Sequence, residues 1–88
     1  MPKVEIYTTD SCPYCTRAKN LLADKGIEFT EHDLEGNRDK MREMLKRCRQ
    51  KTVPQIFIDN NHIGGYEEMA DLESAGQLDQ LLGDAAYD

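Results

Sequence analysis

The cysteines at positions 12 and 15 are the residues of this sequence best suited to chemistry. They stand two residues apart in "SCPYC", where an extended segment gives way to a helix. Two neighbouring thiols can reduce a disulfide in two steps, because one thiolate attacks it and the other displaces the product. The pair could instead supply half of a zinc site or form an inert structural bridge. The chain has three cysteines, and an odd count does not suit a disulfide framework.

The residues around this pair predict different roles for the two sulfurs. Pro13 suits the first position of a helix, since its ring fixes φ and its missing N–H would have no partner there. Cys12 is therefore expected to cap the helix, with its sulfur near the free N–H groups of Tyr14 and Cys15 and near the positive end of the dipole. Both features favour the thiolate. Cys15 lies one turn further and should be less exposed and less ionised. We therefore expect Cys12 to be the nucleophile and Cys15 the resolving thiol.

The third cysteine and the two histidines give little support to a metal site. Cys48 falls at helical spacing with Met44 and Leu45, which is typical of a buried, unreactive thiol. His32 and His62 are single histidines in or beside predicted strands, which favours structural roles. A four-ligand site would need two of these residues beside the cysteine pair. The sequence has no second CxxC and no HxxxH, so it does not favour a metal site within one chain.

The elements that position the cysteine pair follow from the hydrophobic pattern. Alternating apolar residues predict strands, and apolar residues at helical spacing predict helices. In chain order the pattern predicts strand 3–8, helix 13–25, strand 27–34, helix 37–49, strand 54–59, strand 62–63 and helix 67–82. We expect the last helix to break at Gly76 and a tight turn to form at Asn60 and Asn61.

The predicted fold is α/β, with a mixed four-stranded sheet in the chain order β-α-β-α-β-β-α and helices on both faces. The first strand–helix–strand unit should be parallel with a right-handed crossover, and the last two strands should be antiparallel. The first helix leaves the carboxyl end of the first strand, where α/β sheets usually place their sites.

The size of the chain limits its class. Its 88 residues make one small domain, 1–88, with no room for a second. No apolar run approaches the roughly 18 residues of a membrane span, and the first residues lack the apolar core of a signal peptide. These features indicate a cytoplasmic protein without membrane contact. In that compartment a CxxC is more often redox-active or metal-binding than structural.

Charge is distributed unevenly along the chain. All 11 Lys and Arg residues lie at or before Lys51, whereas residues 52–88 carry 8 acidic groups and no basic ones. Seven of the basic residues fall within 38–51, which indicates either a solvated helix face or a positive patch that attracts an anionic ligand. The acidic remainder, and the lack of aromatic residues among the basic ones, argue against nucleic-acid binding.

Three motifs give the sequence a family resemblance. "CPYC" (12–15), "TVP" (52–54) and "GGYEE" (64–68) stand in the order and spacing of the dithiol glutaredoxins, and the chain most resembles the small bacterial ones along essentially its whole length. Thioredoxins usually carry Trp before CGPC, and this chain has no Trp. The monothiol relatives carry CGFS, which is absent here. The resemblance implies a thioredoxin-like fold, glutathione as the reducing co-substrate and a cis peptide bond before Pro54.

The resemblance also implies how glutathione is bound. The Val53 backbone would pair with the cysteinyl residue of glutathione like one rung of an antiparallel ladder, and the ring of Tyr14 would flank the ligand. The γ-glutamyl carboxylate would meet the start of the last helix, and the Glu68 side chain would pair with the ammonium. The glutathione-binding residues are predicted to be Tyr14, Lys51, Thr52, Val53, Pro54, Gly65, Tyr66, Glu67 and Glu68.

Three of these assignments have alternatives in the sequence. Tyr14 could instead be an exposed residue without a role at the ligand. The glycyl carboxylate needs a partner, for which Lys51 is the first choice, Arg49 or Gln50 the next, and Arg42 or Lys40 of the predicted helix a further possibility. Glu67 and Glu68 could instead be ordinary first-turn acids favoured by the helix dipole.

The predicted function is glutathione-dependent reduction of protein disulfides and glutathione mixed disulfides. The expected partners are glutathione and disulfide-containing or glutathionylated proteins. We expect a monomer with no metal and no tightly bound cofactor. The rival hypothesis is a carrier of metal or of an iron–sulfur cluster shared by a dimer and ligated by Cys12 and glutathione, which the proline of CPYC disfavours by analogy with the family.

Overall fold

A computed structural model describes residues 3–83, which form a four-stranded sheet with helices on both faces. The elements in chain order are β1 Val4–Thr8, α1 Pro13–Asp24, β2 Thr30–Asp33, α2 Arg38–Cys48, β3 Gln55–Ile58, β4 Asn61–Gly64, α3 Tyr66–Ser74 and α4 Leu78–Leu82. The spatial strand order is β2-β1-β3-β4, with β1 and β2 parallel and the other two pairs antiparallel. The predicted mixed sheet is confirmed. The ends of the predicted domain, 1–2 and 84–88, lie outside the described residues.

One face of the sheet carries the main apolar core. The strand residues on this face are Val4, Ile6, Ile56 and Ile58. They pack against apolar side chains of α1, α3 and α4, namely Ala18, Leu22, Met69, Leu78 and Leu82. This arrangement presses α1 and α3 onto the same face, so their first turns lie side by side at one end of the sheet.

The opposite face carries a smaller core covered by α2. Tyr7 and Phe57 pack there against Leu34 and Met44. Glu5 alternates with Val4 and Ile6 along β1, and its side chain is 5% exposed beneath α2. Each of the five β1 residues is buried, since helices cover both faces of this central strand.

A charged network ties α2 to this face. The Arg47 guanidinium donates to both carboxylate oxygens of Glu5, at 3.1 and 2.9 Å, and to the Tyr7 hydroxyl at 2.8 Å. Its carbon lies 3.9 Å from the centroid of the Phe57 ring. Hydrogen bonding to Arg47 lowers the pKa of the Glu5 carboxyl to about 2. Arg47 is therefore not part of a solvated basic face, although it belongs to the basic segment 38–51.

Most element boundaries differ from the sequence prediction by one residue, and the start of the second strand differs by three. The second strand begins at Thr30 rather than at residue 27. The hairpin turn lies at Asp59 and Asn60, whose φ angles are 52° and 69°, and Asn61 already belongs to β4. The turn is displaced by one residue because Asp, like Asn, tolerates positive φ. The predicted helix break is confirmed, since Gly76 has φ 73° between α3 and α4.

Candidate active site

Cys12 caps the first helix, as the sequence predicted. Its backbone is extended, with φ −105° and ψ 106°, and Pro13 occupies the first helical position. The backbone N–H of Cys15 donates to the Cys12 sulfur across 3.1 Å. A donor aimed at the sulfur from the positive end of a helix stabilises negative charge there.

The two thiols have different environments. Cys12 is half-buried, whereas Cys15 is 1% exposed. Burial, followed by the hydrogen bond with Cys12, raises the pKa of the Cys15 thiol to about 12. Cys15 is thus a neutral thiol at physiological pH, as the sequence led us to expect of the inner cysteine.

The segment before β3 approaches the Cys12 sulfur. The Val53-Pro54 peptide bond is cis, which confirms that expectation. The Cys12 Sγ lies 3.7 Å from the carbonyl oxygen of Val53. The backbone of Val53 therefore stands beside the sulfur, where it can meet a molecule bound to Cys12.

A surface pocket of about 220 Å³ extends from this segment towards the start of α3. Eight of the nine residues predicted to bind glutathione line it, namely Tyr14, Thr52, Val53, Pro54, Gly65, Tyr66, Glu67 and Glu68. The ninth, Lys51, is exposed and does not line the pocket. Gln50, which the sequence offered as an alternative to Lys51, does line it.

The start of α3 shows why two glycines precede it. Gly64 has φ 121°, and a Cβ atom added there would lie 2.8 Å from Oε1 of Glu68. The Gly65 N–H donates to that same oxygen across 2.8 Å. A carboxylate accepts hydrogen bonds at two oxygens, so Oε2 of Glu68 can still accept from a bound molecule. The contact nevertheless shows that Glu68 serves as a first-turn cap of α3.

Two tyrosines frame the mouth of the pocket. The rings of Tyr14 and Tyr66 have centroids 6.2 Å apart, and Tyr14 is 49% exposed. The guanidinium carbon of Arg17 lies 5.1 Å from the centroid of the Tyr14 ring. Tyr14 thus packs along the rim, which agrees with a role beside the ligand.

Sequence reasoning missed one residue that lines the pocket. Gln55 is the first residue of β3 and is 1% exposed. A polar residue at the head of the apolar strand sequence "QIFI" was the available signal, because a buried amide must find hydrogen-bond partners. Its partners are Gln50, Thr52 and His62.

Residues 3–83 contain neither a candidate metal cluster nor a candidate membrane span. Within this range, no group of three or more His, Cys, Asp or Glu side chains is arranged to hold a metal ion. None of the helices in the same range is long and apolar enough to cross a membrane.

The site combines a helix-capping cysteine, a buried second thiol and a cis-proline segment that faces the sulfur. A sheet of this topology with such a site defines the class of thiol–disulfide oxidoreductases with a thioredoxin-like fold. The family model for glutaredoxin matches residues 4–63. The chain belongs to the glutaredoxin family and is a glutathione-dependent thiol–disulfide oxidoreductase.

Curated bacterial relatives match over nearly the whole chain. Glutaredoxin 3 of Escherichia coli K12 is 54% identical over 82 residues, which cover 93% of this chain and 99% of the relative. A glutaredoxin of Pseudomonas aeruginosa is 48% identical over 82 residues, covering 93% and 98%. The resemblance to the small bacterial dithiol glutaredoxins is therefore confirmed, and the family match does not favour a cluster carrier.

Solved structures agree with the fold. The solution structure of glutaredoxin from Brucella melitensis is 49% identical, with a TM-score of 0.79, covering 91% of this chain and 87% of that one. A buckwheat glutaredoxin–glutathione complex is 26% identical, with a TM-score of 0.84, covering 96% and 79%. These likenesses confirm the thioredoxin-like fold, and the buckwheat protein is in complex with glutathione.

Proposed function

We propose that Cys12 is the nucleophile and Cys15 the resolving thiol in the reduction of glutathione mixed disulfides and protein disulfides. The observation that carries this assignment is the difference between the sulfurs: one caps α1 within 3.7 Å of the Val53 carbonyl oxygen, and the other is buried one turn further. Cys12 is half-buried and lies beside Val53, which lines the pocket, whereas Cys15 is buried, so Cys12 is the sulfur that can meet an external disulfide.

Two routes follow from this geometry. With a glutathione mixed disulfide, the Cys12 thiolate attacks the glutathionyl sulfur and the substrate leaves as a thiol after taking a proton. A second glutathione thiolate then attacks the glutathionylated Cys12, releasing oxidised glutathione and the Cys12 thiolate. With a protein disulfide, the Cys12 thiolate attacks one substrate sulfur, and the other substrate sulfur leaves and takes a proton. Cys15 then loses its proton and attacks the Cys12 sulfur of this mixed disulfide, so the remaining substrate sulfur leaves. Both substrate thiols are released, and two glutathione molecules reduce the Cys12–Cys15 disulfide.

Burial of Cys15 favours the first route. Burial, the main cause of its raised pKa, disfavours the Cys15 thiolate even when Cys12 carries a glutathionyl group. The Cys15 thiol therefore attacks slowly, and glutathione has time to resolve the mixed disulfide on Cys12. A protein substrate whose mixed disulfide with Cys12 is long-lived would be reduced by the second route.

We assign the pocket to the glutathionyl group. Val53 supplies a backbone N–H and C=O for the cysteinyl residue, with Thr52 and Pro54 shaping that wall. The first N–H groups of α3, which belong to Tyr66, Glu67 and Glu68, face the γ-glutamyl carboxylate, and Gly65 lets the ligand approach closely.

The two ends of glutathione carry charges that need partners. Oε2 of Glu68 would accept from the γ-glutamyl ammonium. The glycyl carboxylate would be held from the 49–51 segment, by Lys51 or by Gln50, which already lines the pocket; Arg49, Arg42 and Lys40 are the further choices. Tyr14 covers the sulfurs.

We also propose that residues 1–88 act as one monomeric cytoplasmic domain with no tightly bound cofactor. The reducing cytoplasm supplies the glutathione that both routes consume. The acidic segment 52–88 argues against nucleic acid as a partner.

Turnover tests the proposed function. The purified chain is mixed with glutathione, glutathione reductase, NADPH and the mixed disulfide of glutathione with β-mercaptoethanol. We expect NADPH oxidation that requires both the chain and glutathione. Absence of turnover, combined with visible absorbance after anaerobic reconstitution with iron and sulfide, would instead support the cluster carrier.

A further inference from the structure

The carboxamide of Gln55 joins β3 to the segment that precedes it. Gln55 follows the cis-proline directly, and its side chain lies on the α2 face of the sheet with that of Phe57. It is 1% exposed, so its amide must be satisfied within the protein. Its hydrogen bonds join it to two residues of the segment 50–53, namely Gln50 and Thr52.

The two hydrogens of this amide nitrogen face three acceptors, so one hydrogen is shared between two of them. Gln55 Nε2 lies 3.0 Å from the carbonyl oxygen of Thr52, 3.2 Å from the Thr52 hydroxyl and 3.1 Å from Oε1 of Gln50. Thr52 and Gln50 both line the pocket, and Val53 lies between Thr52 and Pro54. One buried donor group therefore fixes two points of the pocket wall.

The oxygen of the amide is fixed by a histidine on the neighbouring strand. Nε2 of His62 lies 2.6 Å from Oε1 of Gln55, and the His62 ring packs 5.1 Å from that of Phe57. A carboxamide oxygen only accepts, so Nε2 of His62 carries the hydrogen. Rotating the amide by 180° would place its oxygen against the carbonyl oxygen of Thr52, which can only accept. The Thr52 carbonyl thus fixes which end of the amide faces the segment 50–53, and the Nε2–H of His62 holds the amide in that orientation.

We infer that Gln55, oriented by His62, is a positioning residue that holds the 50–53 wall of the pocket in the conformation that binds glutathione. This inference deepens the proposed function and rests on it. Neither side chain needs to touch the reacting sulfurs, because each acts through the wall. It also gives His62, for which the sequence favoured a structural role, a specific task.

Replacing Gln55 by Glu tests the donor. Glu keeps the shape and the oxygen facing His62, but it places a second oxygen against Gln50 and Thr52. We expect Gln55→Glu to raise the half-saturating glutathione concentration by about threefold to tenfold, the range of one or two lost hydrogen bonds. The maximal rate should change by less than about twofold, because the Cys12 sulfur and its Cys15 donor are untouched.

His62 variants keep the test valid if Gln55→Glu fails to fold, since His62 lies at the rim of the sheet. His62→Leu removes the donor, and we expect a rise in half-saturating glutathione of roughly two- to threefold. His62→Gln keeps an N–H donor and should restore the wild-type value. His32→Gln is the matched control: it changes the other histidine on this face, which contacts Glu5 and not the 50–53 segment.

A second readout separates this inference from the proposed function. Backbone amide resonances of Thr52 and Val53 should shift in Gln55→Glu and His62→Leu, and should stay in place in His32→Gln. If the wild type fails to turn over glutathione, the proposed function is wrong, and these resonances still test the positioning of the wall. Unchanged glutathione dependence in folded Gln55→Glu and His62→Leu would overturn the inference. Equal effects of His62→Leu and His62→Gln would overturn the part assigned to His62.

Discussion

Helices α1 and α3 begin side by side at the pocket, and each uses the opposite half of a capping box. In a full capping box, the N-cap side chain accepts from the third residue's N–H, and the third residue's side chain accepts from the N-cap N–H. In α1 only the first half is present, from the Cys15 N–H to the Cys12 sulfur. In α3 only the second half is present, from the Gly65 N–H to the Glu68 carboxylate.

The difference shows how one structural device can serve two chemical tasks. In α1 the cap is the proposed nucleophile, so the Cys15 N–H of the first turn donates to the protein's own sulfur. The side chain of the third residue, Cys15, does not cap the helix; it is buried and is the proposed resolving thiol. In α3 the cap is a glycine, so no side chain stands between the helix start and the pocket. The capping acceptor is supplied from Glu68 instead, and a ligand can approach the backbone.

The largest expected effect on turnover comes from replacing Cys12, the side chain that caps α1. Cys12→Ser should abolish turnover with every disulfide substrate, because a serine hydroxyl can accept the Cys15 N–H but cannot form the mixed disulfide. Cys15→Ser should keep turnover of a glutathione mixed disulfide, since glutathione resolves the Cys12 intermediate, and should lose most reduction of protein disulfides. The measurement is NADPH-coupled turnover with a small mixed disulfide and with a protein disulfide.

Cys48→Ser is the matched control for this pair, because Cys48 lies at the end of α2 and its thiol donates to the carbonyl oxygen of Met44. It should behave like the wild type with both substrates. Equal inactivity of the Cys12 and Cys15 variants with the small mixed disulfide would contradict the division of labour between the two sulfurs.

A smaller effect concerns the free energy of unfolding, which should depend on pH because Cys15, the third residue of α1, is buried. The folded pKa of Cys15 is about 12, above the roughly 8.5 of a free thiol. Below the unfolded value both states hold the proton, and the full stability is present. As the pH rises, the unfolded chain loses this proton and the folded chain keeps it, so stability falls until the folded pKa is reached. By pH 10 the loss should be about 1–2 kcal/mol.

Urea unfolding between pH 7.5 and pH 10, under reducing conditions, measures this slope. Cys15→Ser should flatten it, and Cys48→Ser should not. Burial also raises the pKa of Tyr7 to about 12, but its unfolded value is about 10, so its contribution sets in mainly above this range. An identical slope in Cys15→Ser and the wild type would mean that Cys15 ionises as easily in the folded chain as in the unfolded one.

Local sequence patterns were enough to predict most of the fold. Periodicity located the helices and the strands β1 and β3, because each buries an apolar stripe or face, whereas β2 and β4 are largely exposed. The sidedness of β1 was not predictable in the same way. Alternation marks one face as polar, and only the covering of that face by α2 explains why Glu5 lies inward against Arg47.

The candidate site was predictable where a motif carries its own local geometry. Pro13 after Cys12 was sufficient to predict the α1 cap. The partner of Glu68 was not predictable, because its choice between a ligand and the Gly65 N–H depends on how β4 enters α3. The contacts of Gln55 join residues 50, 52 and 62 across two strands, and no local pattern connects these positions. Motifs therefore located the two cysteines of the candidate site, whereas the contacts within the pocket wall needed the folded structure.

The smallest expected effect comes from replacing Glu68 at the start of α3, where helix capping and glutathione binding can be tested separately. In Glu68→Gln the amide oxygen still accepts the Gly65 N–H, so the cap persists and only the negative charge is lost. We expect a severalfold to about tenfold rise in half-saturating glutathione with little change in thermal stability, since one charge-assisted contact with the ammonium disappears. Asp71→Asn is the matched control, because it removes an equal charge from an exposed position one turn further along α3. It should leave the glutathione dependence unchanged. If Glu68→Gln were as active as the control while Glu68→Ala lost thermal stability, Glu68 would be a helix cap alone. The α3 start would then bind glutathione through its backbone only, as the α1 start already holds the Cys12 sulfur.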